Sequence, residues 1–242
     1  MNRFFADEKM DNSFFITDKV QINHVKKVMR LNIGELVEIV YSEKEYICKI
    51  ADINERVKVE IVEEVDISRE SHLTITLFQG LPKADKMELI IQKTTELGID
   101  RIVPVNSSRA IMKVKKDSKI DRWEKIAFAA SKQSKRNRVP VIEKPIDIEK
   151  LLEEYIDELD VLLIPYENND EKGLMTILDE FKEKKNIGIF IGPEGGIDDS
   201  DLKCLESDKT KIISLGNRIL RTETAAIMSV GIIQFYLGDL GD

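Results

Sequence analysis

Two rhythms of apolar and polar positions run along the 242-residue chain. In the front part, LVEIVYS (36–42), YICKIADI (46–53) and VKVEIVEEV (57–65) alternate with a period near two, which predicts antiparallel strands. One helical segment, from about Gln21 to Leu31, sits among them. Short strands with one helix predict a small β-barrel or half-barrel. The polar run DISRESH (66–72) is the expected junction, giving a front domain over 1–70 and a larger one over 73–242.

Beyond that junction, strands alternate with helices. LTITLFQ (73–79) reads as a strand, followed by a helix with Met87, Ile90, Ile91 and Thr94 on one face and Gly98 at its end. IVPV (102–105) leads to a helix presenting Ile120, Trp123, Ala127 and Ala130, and Ile148, Leu151, Leu152, Tyr155, Ile156 and Leu159 recur at helical spacing after Asp147. Trp123 and Met87 are expected in the core. VLLI (161–164), IGIFI (187–191) and KIISL (211–215) each feed a loop and then a helical segment. The pattern predicts an α/β fold, a mostly parallel sheet with helices on both faces. Such sheets bind ligands outside the carboxyl ends of their strands, so the loops after Ile164, Ile191 and Leu215 matter most.

Two of those loops are unusual. The first reads IGPEGG (191–196), which matches neither the Walker phosphate loop nor G-x-G-x-x-G. A tight strand-to-helix turn accounts for it structurally. The functional alternative is a turn kept bare of side chains, with Pro193 rigidifying it, so that a flat ligand lies on backbone amides and carbonyls. The second reads SLGNRILRTETAA (214–226). Gly216 allows a turn, Arg218 and Arg221 flank the apolar pair Ile219 and Leu220, and Thr222 or Thr224 is suited to cap the next helix. An apolar pair between arginines suits a flat apolar group beside a charged one.

Composition narrows the class. With 42% hydrophobic and 34% charged residues the chain reads as a soluble globular protein, with no membrane span and no recognisable signal peptide. Cys48 and Cys204 lack metal-ligand spacing and are expected as reduced thiols in a cytoplasmic protein, with no metal site. The net charge of −8 argues against a nucleic-acid partner until its distribution is considered. SKQSKRNR (131–138) carries Lys132, Lys135, Arg136 and Arg138 without an acid, and Arg109–Arg122 is also net basic. Local patches govern attraction to phosphate more than the total charge does.

IGPEGG followed by LGNRILRTETAA resembles the RsmE family of ribosomal RNA methyltransferases, in the SPOUT superfamily. LPKADKMELIIQKTTELGI (81–99), SSRA (107–110), SKQSKRNRVPVI (131–142), RFF (3–5) and HVKKVMRLNIGE (24–35) extend the resemblance over nearly the whole chain. Asn217 falls at a variable position, and Asp198, Asp199 and Asp201 read as first-turn helix acids. The resemblance implies an N-terminal PUA-like barrel and a SPOUT-type α/β domain with a deep trefoil knot. It implies a homodimer using S-adenosyl-L-methionine to methylate N3 of a uridine in small-subunit (16S) ribosomal RNA of the 30S subunit.

By the same resemblance, Ile164, Pro165, Gly192, Pro193, Gly196, Leu215, Gly216, Ile219, Leu220 and Thr222 hold the cofactor. Arg221 and Glu223 are the catalytic candidates, with a phosphate or structural contact open for Arg221 and a first-turn helix acid open for Glu223. RNA contact falls to Arg3, Arg30, Arg109, Lys132, Gln133, Arg136 and Arg138. His24 is expected to be structural or RNA-facing, and a histidine base is disfavoured. The alternatives are a SPOUT methyltransferase acting on another RNA position, and a non-catalytic RNA-binding or ribosome-assembly factor.

Overall fold

The computed structural model describes residues 1–67, 69–83, 85–110, 117–166 and 173–241. It separates into two compact units, Met1–Arg69 with Lys135–Arg138, and Glu70–Ser134 with Val139–Asp242. Unit 1 thus takes in a short segment from much later in the chain, which the sequence pattern did not assign to it. No helix among the described residues is long and apolar enough to cross a membrane.

Unit 1 is built on β1 (Asn2–Phe5), β2 (Glu8–Met10), β3 (Ser13–Ile16), α1 (Lys19–Asn23), β4 (Leu36–Tyr41), β5 (Lys44–Ile53) and β6 (Val57–Val65). The strands form one sheet in the order β1-β4-β5-β6-β3-β2, antiparallel except for β1 beside β4. The Asp7 N–H, just past β1, donates to the Phe15 carbonyl at 2.9 Å, drawing the two ends of this order together. Phe4, Phe14, Val37, Ile39, Tyr46, Cys48, Ile50, Val57 and Val59 fill the interior. SFFI in β3 is buried throughout, so it lacks the alternation that reveals the other strands. The predicted helix is shorter than its apolar pattern suggests. Asp18 caps α1 by accepting from the Gln21 N–H, and the chain then widens into a π-helical turn over His24–Val28.

Arg3 is a central polar residue of unit 1. Its guanidinium donates to Glu45 at 2.9 Å, Glu38 at 3.3 Å, the Arg136 carbonyl at 3.1 Å and the Asn137 side chain. Arg3, Glu38, Glu45, Arg136 and Asn137 are all buried. Arg69 also reaches Glu45 at 3.1 Å, Lys135 reaches Glu38 at 3.4 Å, and Arg138 pairs with Glu43 at 2.8 Å. This corrects the expectation that Arg3 and Arg136 face RNA: Arg3 is a buried guanidinium held by two carboxylates, and Arg136 is itself buried, so neither is open to phosphate. Burial alone would raise the Glu45 carboxyl, but hydrogen bonds from Arg69 and Arg3 bring it below its ordinary value.

Unit 2 contains β7 (Thr74–Gly80), α2 (Lys86–Glu96), β8 (Arg101–Asn106), α3 (Asp117–Gln133), β9 (Val141–Ile142), β10 (Ile146–Asp147) and α4 (Leu151–Tyr155). These are followed by β11 (Val161–Pro165), α5 (Leu174–Leu178), β12 (Asn186–Ile191), α6 (Asp199–Cys204), β13 (Thr210–Ile213) and α7 (Thr222–Leu237). The strands run parallel in the order β10-β8-β7-β12-β11-β13, with β9 also on β8. Successive side chains leave a strand on opposite faces. Accordingly Ile75, Leu77, Leu163, Ile187 and Ile189 join one core with Met87, Trp123, Ala127, Ala226 and Val230. Phe78, Leu162, Ile164 and Phe190 join another with Leu151, Leu159 and Leu205. Both faces are covered, which explains the near-continuous apolar runs of these strands. Gly188 interrupts IGIFI because a Cβ there would lie 2.6 Å from Leu159 Cδ1. The strand predicted over 211–215 stops at Ile213.

Removing Arg3 strips two buried carboxylates of a shared partner. Arg3→Ala is expected to destabilise the full chain by about 3 kcal/mol in urea unfolding, since truncating one side of a buried ion pair costs on this order. The depressed native carboxyl of Glu45 contributes stability that is present above pH 4.5 and lost as pH falls through its lower native value. The unfolding midpoint of the wild type should therefore fall on acidification more steeply than that of Glu45→Gln.

Candidate functional site

The strand order sets β7, β12, β11 and β13 side by side with their carboxyl ends at the same edge. Ile191 of β12 lies opposite Gln79 of β7, and Pro165 of β11 opposite Ile213 of β13. The loops after β11, β12 and β13 are therefore neighbours, although 167–172 lies outside the described residues.

The glycine turn after β12 is held from several sides. The Gly196 N–H donates to the Pro193 carbonyl at 2.9 Å, and Gly196 has φ +75°, a left-handed conformation that favours glycine. A Cβ on Gly192 would lie 2.7 Å from Ile197 Cγ1 and 3.3 Å from the Gly196 carbonyl carbon. Gly192 is thus required by the turn's own packing, whatever else the bare backbone serves. Pro193 in turn packs onto Gly80 at the end of β7, where a Cβ would come within 2.7 Å of its ring.

Charged groups complete the clamp. Arg109 donates to the Gly195 carbonyl at 2.9 Å and to Asp198 at 3.1 Å, so it straps the turn; RNA contact was its expected role. Asp201, sequence-read as an ordinary helix acid, is buried and accepts from the Ser108 hydroxyl at 2.9 Å. Glu194 accepts from the Lys83 N–H at 3.0 Å and pairs with Lys86 at 3.1 Å; Lys86 also reaches Glu223 at 3.2 Å. Burial would raise the Glu194 carboxyl, but its own N–H, the Lys83 N–H and Lys86 bring it below its ordinary value. Glu223 therefore sits in a bridge between the glycine turn and the starts of α2 and α7.

Thr222 joins the same elements through its hydroxyl. It donates to the Gly192 carbonyl at 2.7 Å and accepts from the Gln79 side-chain amide at 3.0 Å. Gln79 is fully buried, donates also to the Gly80 carbonyl at 2.9 Å, and its Oε1 has no partner among the described residues. Sequence reasoning missed Gln79. Its signal was present as the one amide at the end of an apolar strand, just before a glycine.

The loop entering α7 is open. Gly216 has φ +105°, with nothing among the described residues within 4 Å of where a Cβ would sit. Asn217, Arg218 and Arg221 are exposed, and Ile219 is 81% exposed. Leu215, Leu220 and Pro165 are half-buried, whereas Ile164 is a core side chain, so only its backbone is available at the strand end. Arg221 occupies the N-cap position of α7 and makes no capping hydrogen bond. Of the remaining RNA-contact candidates, Lys132 lies 5.8 Å from the Phe128 ring, and Gln133 lines a groove between α2 and α3. Arg30 is exposed in unit 1. Among the described residues no cluster of His, Cys, Asp or Glu is arranged to hold a metal.

The family model described as the RNA methyltransferase domain matches residues 69–234, and the RNA methyltransferase PUA domain matches 16–62. The first match, over more than half of the chain, places the protein, by class, among the RNA methyltransferases. Ribosomal RNA small subunit methyltransferase E of Mesomycoplasma hyopneumoniae (strain 232) is 36% identical over 229 residues, 94% of this chain and 96% of that protein. The protein of that name from Bacillus subtilis (strain 168) is 31% identical over 249 residues, 97% and 96% of the two chains. A crystal structure of the Neisseria gonorrhoeae enzyme of the same name, bound to S-adenosyl methionine, matches with a TM-score of 0.87 at 29% identity, covering 99% of both chains. The chain belongs to the ribosomal RNA small subunit methyltransferase E family.

Thr222→Val keeps the shape of the side chain and removes both hydrogen bonds. It leaves the Gly192 carbonyl without that donor and costs the buried Gln79 amide an acceptor, and should lower unfolding stability by about 1–3 kcal/mol. Thermal and urea unfolding of the full chain measure this directly.

Proposed function

We propose that this protein transfers a methyl group from S-adenosyl-L-methionine to N3 of a uridine in small-subunit (16S) ribosomal RNA. The observation that carries the reading is membership of a family whose named relatives are ribosomal RNA small subunit methyltransferases, together with the loops gathered at the carboxyl ends of adjacent strands. In this reading residues 1–70 are a PUA-like RNA-binding module and 73–242 a knotted SPOUT methyltransferase domain. The protein acts on the 30S subunit or its RNA in the cytoplasm. A homodimer is supported by α7, which leaves Met228 and Phe235 exposed on a largely apolar helix.

The residues suit the cofactor. The exposed Ile219, the half-buried Leu215 and Leu220 and the open space beside Gly216 offer an apolar seat. The Gly192 and Pro193 carbonyls already accept from Thr222 and from the Gly196 N–H, so it is their second lone pairs and the Gly196 carbonyl, with the strand end at Ile164 and Pro165, that would meet an adenine edge. Thr222 serves by holding Gly192 in place. When bound, S-adenosyl-L-methionine supplies an electrophilic methyl group.

The chain's own work is to hold the uracil in line, exclude water and stabilise charge. The N3 proton must leave as the N3–methyl bond forms, passing to solvent or to Glu223 once that carboxylate is released from Lys86. Arg221, exposed at the start of α7, is suited to donate hydrogen bonds to a uracil carbonyl and stabilise the negative charge that develops there. Glu223 would have to leave Lys86 to accept the proton, so Arg221 carries the greater catalytic role in this mechanism.

Incubating the protein with S-adenosyl-L-methionine and small subunits lacking the modification should yield 3-methyluridine by mass spectrometry of digested RNA. Arg221→Ala should lower kcat by about 100-fold, the scale expected for removing one transition-state donor, with cofactor affinity within a few-fold of wild type. Methylation of another atom, or none, would overturn the substrate assignment.

A further inference from the structure

Gln79 is the last residue but one of β7 and shares a strand face with Ile75 and Leu77, which join the core with Met87 of α2 and Val230 of α7. An apolar side chain is the expected occupant of such a position, yet an amide is completely buried there. Its Oε1 has no partner among the described residues, an arrangement that costs free energy. Three acceptors surround its Nε2 instead. They are the Gly80 carbonyl at 2.9 Å, the Thr222 hydroxyl at 3.0 Å and, more distantly, the Ile191 carbonyl at 3.5 Å.

These partners fix which way each hydrogen points. Carbonyls only accept, so the amide nitrogen and not its oxygen faces Gly80 and Ile191. The Thr222 oxygen therefore accepts from Gln79. A hydroxyl has a single hydrogen, and with the amide N–H on its lone pair that hydrogen goes to the Gly192 carbonyl, at 2.7 Å. The result is a one-way chain from the Gln79 amide through the Thr222 hydroxyl to Gly192, in which each bond strengthens the next. Satisfying the Gly80 carbonyl alone would not require the contact with Thr222, 143 residues away.

We infer that Gln79 is a positioning residue for the cofactor, setting the direction of the Thr222 hydroxyl and through it holding the Gly192 carbonyl; this rests on the proposed cofactor site. Gly192 opens the glycine turn whose backbone would meet the adenine edge. The same hydroxyl stands at the first residue of α7, directly after Arg221. Gln79 itself stays in the core and touches neither cofactor nor uracil. Its effect is to leave the Gly192 carbonyl one hydrogen-bonded orientation, with the remaining lone pair presented to the ligand. Two substitutions of similar size separate polarity from packing. Gln79→Met removes the donor and leaves the Thr222 hydroxyl free to rotate. Gln79→Glu reverses the chain, because a carboxylate only accepts and draws the Thr222 hydrogen away from Gly192. Protonation gives that carboxyl a donor again, and burial raises the pH at which this happens.

The test is calorimetric titration of the full chain with S-adenosyl-L-methionine, comparing variants that urea unfolding shows to be folded. Gln79→Met should weaken binding by about threefold to tenfold, the scale of one lost hydrogen bond. In a Thr222→Val background the same substitution should cost less than about twofold, because a residue acting only through Thr222 has nothing left to act on. Purely structural damage would add across the two sites. Gln79→Glu should bind at least about tenfold more weakly than wild type near about pH 8, and the ratio should shrink towards about pH 5 as the carboxyl is protonated. Additive losses in the double variant, a pH-independent ratio for Gln79→Glu, or binding by Gln79→Met within about twofold of wild type each overturn the inference. If Gln79→Glu does not fold, the cycle of Gln79→Met with Thr222→Val decides alone. Those outcomes leave the cofactor reading standing as long as the wild type binds. A wild type that fails to bind S-adenosyl-L-methionine overturns the cofactor reading and the inference with it.

Discussion

The Thr222 hydroxyl is the constraint on which the strand-end architecture turns. It donates to the Gly192 carbonyl on one side and accepts from Gln79 on the other, so it ties the start of α7 to the ends of β12 and β7. Both partners are in or beside strands buried on two faces, where an unmade hydrogen bond is expensive. Arg221 immediately precedes Thr222, so fixing the hydroxyl also fixes where that guanidinium leaves the backbone. The Glu194–Lys86–Glu223 bridge repeats the connection in charged form on the α2 side. Arg109 adds a strap across Gly195.

Seen this way, the glycines of the turn have more than one cause. Gly192 has Ile197 where its Cβ would be, Gly80 has Pro193, and Gly196 adopts a left-handed conformation. A bare backbone at a strand end is thus first a packing solution. Its carbonyls are largely engaged, by Thr222, the Gly196 N–H and Arg109, so a ligand there would meet their remaining lone pairs on a surface bare of side chains.

Unit 1 divides its cations by environment. Arg3 lies among Glu38, Glu45, Arg136 and Asn137, where its charge closes a buried network and draws residues 135–138 into the unit. The cations of the α1 segment face water. A guanidinium or ammonium acts on phosphate only if no nearer carboxylate claims it, and that distinction depends on position in the fold more than on local charge density. SKQSKRNR illustrates this: its sequence is strongly basic, yet Arg136 is buried and Arg138 is paired with Glu43.

Much of the architecture was legible without coordinates. The apolar runs at 73–79, 161–164 and 187–191 could be buried only in a parallel sheet covered on both faces, and Trp123 and Met87 followed from helical spacing. The loops worth attention followed too, because strand direction decides which ends gather. Tertiary structure alone decided the roles of single polar residues. Gln79 became a hinge of the site, Arg109 a strap, Asp201 a buried acceptor and Arg3 a network centre through partners 35 to 143 residues away. Hydrophobic periodicity is a local property that survives in the sequence because burial is a one-body preference. Hydrogen bonds and ion pairs are two-body and directional, so a polar side chain's role is set only when folding brings its partner within about 3 Å.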